Sequence, residues 1–169
     1  MLSFDGTEVN YDILPGGRHF LVFLHGIGGN LKVWSQERHY FHRHGYSTLA
    51  IDLGGHGLSG RPKSPSDYNL ECFARDLWEI IRKESVDSFS IIGHCFGGMV
   101  ALMFEKIFPD LAASYVLIDC ACKAPIQLHE AFRDHPFFVH LLNSILERKD
   151  LHSRHFSHVD PKAFAGTGE

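Results

Sequence analysis

Apolar positions along this chain switch between two periods at a regular rhythm. Short runs of extended character occupy residues 2–4, 9–14, 19–24, 46–51, 88–92 and 115–118. Each is bounded by turn formers such as Asp5-Gly6 and Pro15-Gly16-Gly17. Between them the spacing becomes helical. Residues 31–44 place Leu31, Trp34 and Phe41 on one side, with Gly45 as the stop. Asn69 is a candidate cap for a helix carrying Leu70, Phe73, Leu77, Ile80 and Ile81 at three- and four-residue intervals. Residues 96–108 form a third helix, halted by Pro109. Strand and helix in alternation predict an α/β fold: a mostly parallel sheet with helices on both faces. After Cys122 the pattern changes. Residues 125–152 are wholly helical in character, with Phe138, Leu141, Leu142, Ile145 and Leu146 on one face. The expected division is therefore 1–124 and 125–169.

Composition narrows the function classes. Of 169 residues, 44% are hydrophobic and 21% charged, so a packed core is expected rather than disorder. Sixteen basic against twenty acidic side chains give a net charge of -4. There is no basic stripe with interleaved aromatics, so no nucleic-acid partner is expected. The N-terminus carries Asp5 and Glu8 and lacks the apolar centre of a secretory signal. An apolar run such as 20–24 is far too short to span a bilayer. Cysteines at 72, 95, 120 and 122 show no disulfide-framework spacing. They are read as reduced thiols of a cytoplasmic protein. The lone Cys120-x-Cys122 pair has no second pair with which to hold zinc, and no metal is expected.

In an open parallel sheet, ligands bind beyond the carboxyl ends of the strands. Three glycine-rich loops fall at such ends: His25-Gly26-Ile27-Gly28-Gly29, Asp52-Leu53-Gly54-Gly55-His56-Gly57 and Gly93-His94-Cys95-Phe96-Gly97. In the third, a single thiol stands on a sharp strand-to-helix turn. Gly93 and Gly97, two before and two after it, allow strand and helix to pack closely around that turn. A cysteine there faces the cleft at a helix N-terminus, where free N–H groups and the helix dipole favour a thiolate. The first loop brings backbone donors to the same cleft. The amides of Ile27 and Phe96 are the candidate pair for a tetrahedral oxyanion.

"VFLHGIGGN", "AIDLGGHGLSG" and "IIGHCFGGMVAL", in that order and each after an expected strand, resemble the α/β-hydrolase superfamily. They correspond to its oxyanion strand, its strand-4 loop and its nucleophile elbow. The resemblance covers roughly residues 2–124 and implies the α/β-hydrolase fold. The usual elbow is G-x-S-x-G, and here Cys95 occupies the serine position. The resemblance implies that Cys95 is the nucleophile, as in the dienelactone hydrolases. It argues against epoxide hydrolase and haloalkane dehalogenase chemistry, for which the elbow would carry aspartate. The implied substrate is a small molecule with an ester, thioester or related acyl bond, and no cofactor is implied. A C–C bond hydrolase on the same fold is a further option. A catalytically inert fragment or binding module, with Cys95 marking lost activity, is the rival of a different class.

The family order is nucleophile, acid, histidine. The resemblance accounts for six strands of eight and the start of a helical lid. With roughly 250 residues usual for such a domain, the chain is expected to be the N-terminal part of a longer hydrolase. Its base is expected beyond the lid. Asp119, at the end of the sixth expected strand, is the acid candidate within reach. As a residue alone it reads more simply as a strand-end carboxylate capping local amides. His25 is expected to brace its loop, Asp52 to anchor its own, and His56 and His94 to serve structural roles. His152, His155 and His158 recur every third residue and read as a solvated face. Phe132, Phe137 and Phe138 read as core or as the wall of an apolar acyl pocket.

Overall fold

The structure is a computed structural model that describes residues 1–120 apart from 4, 5, 63, 65 and 66. Among the described residues, five strands form one sheet: β1 (Tyr11–Leu14), β2 (Phe20–Leu24), β3 (Ser47–Ile51), β4 (Phe89–His94) and β5 (Ser114–Ile118). Three α-helices accompany them: α1 (Ser35–Arg43), α2 (Leu70–Lys83) and α3 (Phe96–Ile107). A 3-10 turn at Leu31–Trp34 leads into α1. The spatial order is β1-β3-β2-β4-β5. Only β1 runs antiparallel to its neighbour; the other three pairings are parallel.

Side-chain alternation along β2 distributes the core over both faces. Val22 and Leu24 join Leu49, Ile51 and Ile91 on one face, where they meet Phe73, Leu77, Ile80 and Ile81 of α2 and Val100, Ala101 and Phe104 of α3. Leu21 and Phe23 point the other way and pack with Ala50, Ile92 and Trp34. Burying each of these large side chains contributes about 1.5–3 kcal/mol before entropy is counted. Asn69 caps α2 as its position suggests, its side chain accepting from the Cys72 amide at 2.9 Å.

One element differs from the sequence expectation. The first expected strand reduces to a single antiparallel bridge, Leu2 to Glu8. Beside it, Ser3 N–H donates to the Thr7 carbonyl at 2.7 Å and Val9 N–H to the Met1 carbonyl at 2.6 Å. The sixth expected strand is therefore β5. In α1 the buried residue is Arg38, 4% exposed. Its guanidinium donates to Thr48 Oγ1 at 3.2 Å, and to the Asp12 carbonyl and carboxylate at 3.1 and 2.8 Å. A buried charge is tolerated when paired and hydrogen-bonded in this way.

Parallel register brings the carboxyl ends level. Leu24 is opposite both Ile51 and Gly93, and His94 is opposite Ile118. The loops that follow β2, β3, β4 and β5 thus emerge along one edge. Residues 121–169, with the expected boundary at 124/125, the lid stretch and its phenylalanines and histidines, lie outside the described residues. Among the described residues, no helix is long and apolar enough to cross a membrane.

Candidate active site

β4 ends and α3 begins with only Cys95 between them. Its φ of 51° and ψ of -111° put a non-glycine residue where side chains rarely go. Such conformations cost on the order of 1–3 kcal/mol and persist only where the surroundings impose them. The Cys95 N–H donates to the Ile118 carbonyl at 2.9 Å. Its carbonyl accepts from Gly98 N–H at 3.1 Å and Met99 N–H at 3.3 Å. A methyl group on Gly93 would land 2.6 Å from the Gly97 backbone, and one on Gly97 would land 2.7 Å from the His25 carbonyl oxygen. Any side chain at either position would force helix and strand apart. The thiol is exposed and in no disulfide. Phe96, the first residue of α3, has an N–H without an intrahelical acceptor.

Across from the elbow, residues 26–29 make a tight turn closed by Gly29 N–H to the Gly26 carbonyl at 3.1 Å. Its third position requires positive φ, and Gly28 supplies 74°. Gly26 has no side chain because none fits easily. A Cβ there would meet His94 Nδ1 at 3.1 Å and the Cys95 Cβ at 3.3 Å. Ile27 projects outward, 61% exposed.

His25 is fully buried below this turn. Its Nε2 accepts from the Leu53 N–H at 3.0 Å, so Nδ1 carries the proton and donates to the Gly26 carbonyl at 2.8 Å. Burial pushes this imidazole down to about 4. His25 therefore stays neutral near pH 7 and joins two loops, a wider task than bracing its own. His56 stacks 5.1 Å from it, ring to ring. Asp52 is likewise shared. Its carboxylate accepts from Asn10 Nδ2 at 2.8 Å, Leu31 N–H at 2.7 Å and Leu58 N–H at 2.9 Å. Neither residue points its polar atoms at the elbow.

Asp119 directly follows Ile118, the residue that accepts from the Cys95 amide. It is exposed and has a φ of 49°, so two neighbouring strands both end in strained, non-glycine residues. The described residues contain no group of three or more His, Cys, Asp or Glu arranged to hold a metal.

A family model described as alpha/beta hydrolase fold matches residues 20–160, and the chain belongs to that family. Protein ABHD8 of Bos taurus is 32% identical over 99 residues, covering 59% of this chain and 23% of that protein. Epoxide hydrolase 3 of Xenopus tropicalis is 30% identical over 116 residues, covering 69% of this chain and 31% of the relative. The esterase EaEST from Exiguobacterium antarcticum superposes with a TM-score of 0.67 at 19% identity, over 85% of this chain and 59% of that one. At that identity the likeness is one of fold. The matched regions span about a quarter to a third of the length of the two curated relatives.

Proposed function

We propose that the chain carries the nucleophile and oxyanion site of a hydrolase for ester, thioester or related acyl bonds. Cys95 is the nucleophile. A histidine outside the described residues takes the thiol proton, oriented by an acid there or by Asp119. The thiolate adds to the substrate carbonyl, and the resulting oxyanion receives hydrogen bonds from the Ile27 and Phe96 amides. The tetrahedral adduct collapses. The alcohol or thiol departs with the proton held by the base, leaving an acyl thioester on Cys95. Water, deprotonated by the same base, then releases the acid and restores the thiol.

The observation that carries this reading is the strained, exposed Cys95 between β4 and α3. An inert cysteine is normally buried as a small apolar group in relaxed backbone. Strained non-glycine backbone of this kind clusters at functional sites. A thiol also favours acyl transfer over the epoxide opening named for one relative, because the resemblance implies aspartate at the elbow for that chemistry.

Burst kinetics with an activated aryl ester test the proposal. The full-length protein is expected to release one equivalent of phenolate rapidly and then turn over slowly, and Cys95→Ala is expected to abolish the burst. A folded protein with no burst would support the inert module instead.

A further inference from the structure

The Ile27 amide cannot be aimed by its own side chain, which is 61% exposed. Its direction is set by Gly26, and Gly26 is held on two sides. From below, its carbonyl accepts from His25 Nδ1–H at 2.8 Å and from Gly29 N–H at 3.1 Å. From the elbow side, its α-carbon is faced by a second imidazole. His94 Nδ1 and Cε1 lie 3.1 and 3.5 Å from the point where a Gly26 side chain would project. The Cys95 Cβ lies 3.3 Å from that same point. His94 is the last residue of β4, anchored opposite Ile118 in the sheet, and it is covalently joined to Cys95.

We infer that His94 is a positioning residue for acyl transfer: its ring buttresses Gly26 and fixes the distance between the Ile27 donor and the Cys95 sulfur. The donor, in the turn after β2, and the nucleophile, directly after β4, are thereby held at a set separation through one ring. The inference rests on the acyl-transfer reading above. It assigns to His94 no proton transfer and no contact with substrate. Removing the ring would let the 26–29 turn relax into the vacated space. A displacement of about 1 Å at a reacting centre costs up to about 100-fold in rate.

Two reagents separate this role from others. An activated aryl acetate acylates Cys95 through a tetrahedral oxyanion and needs the Ile27 amide. Iodoacetamide alkylates the same sulfur at a saturated carbon, displacing iodide, and needs no oxyanion donor. In the full-length protein, His94→Ala is expected to slow acylation about 10- to 100-fold while leaving alkylation within about twofold across pH 6–9. His94→Gln, which keeps a planar group near Gly26, is expected to recover most of the loss. Gly26→Ala, which displaces the ring, is expected to reproduce it. Circular dichroism confirms that each variant is folded, and an unfolded His94→Ala leaves the decision to the other two. Equal acylation in His94→Ala and wild type would overturn the inference alone. Acylation and alkylation falling together would also overturn it, placing His94 with the thiol rather than the donor. A wild-type protein that alkylates but never acylates would sink the acyl-transfer reading itself.

Discussion

Acidification should loosen the loops behind Cys95 through one residue, His25. Its ring is fully buried, and burial lowers its ionisation to about 4 from 6.5. The unfolded chain takes up this proton near pH 6.5, whereas the folded chain resists until near pH 4. Between these values the unfolded state binds more protons, so stability must fall as pH falls and level off below pH 4. The difference corresponds to roughly 3 kcal/mol in total, at a slope no steeper than about 1.4 kcal/mol per pH unit. The physical cost is visible: protonating Nε2 removes the acceptor for the Leu53 N–H and places a charge in the core. Urea unfolding followed by tryptophan fluorescence, at half-unit steps from pH 7.5 to 4, gives the measurement for wild type and His25→Gln. Titrating carboxylates contribute equally to both proteins, so the difference between the curves isolates His25. That difference is expected to be constant above pH 7 and to shift by roughly 3 kcal/mol toward the variant by pH 4. A difference that stays flat across the window would refute the buried neutral tautomer and the loop linkage built on it.

Other perturbations probe the same frame. Gly97→Ala drives a methyl group to 2.7 Å from the His25 carbonyl oxygen; it is expected to cost about 1–3 kcal/mol in urea unfolding and to suppress acylation of Cys95. Asp52→Ala strips the acceptor from Asn10, Leu31 and Leu58 together; a loss of about 1–3 kcal/mol is expected in urea unfolding, because three part-buried donors lose a charged acceptor.

The backbone frame of the candidate site was legible because close backbone approach admits few residue types. Gly93 and Gly97 stand where strand and helix touch, and their spacing around Cys95 was readable without coordinates. Asn69 at an α2 N-terminus and the alternation in β2 were equally plain. Long-range polar pairing was not. Arg38 sits among polar neighbours in sequence, yet it is buried, because Asp12 and Thr48 come from strands far away in the chain. His25 and Asp52 were expected to serve their own loops, and each in fact ties distant segments together. The ring of His94 reaches Gly26 only because parallel register sets β2 and β4 level, a fact of pairing that no local pattern encodes. Residues 2–4 carry a strand-like pattern, and among the described residues it yields one bridge, Leu2 to Glu8.

The most direct test of Cys95 as the acyl acceptor is peptide mapping after a rapid acid quench of the protein with an activated aryl ester. The account predicts one acyl group per chain, on the peptide containing Cys95. Acylation spread over Cys72, Cys120 and Cys122, or found on none of the thiols while the ester is consumed, would contradict it.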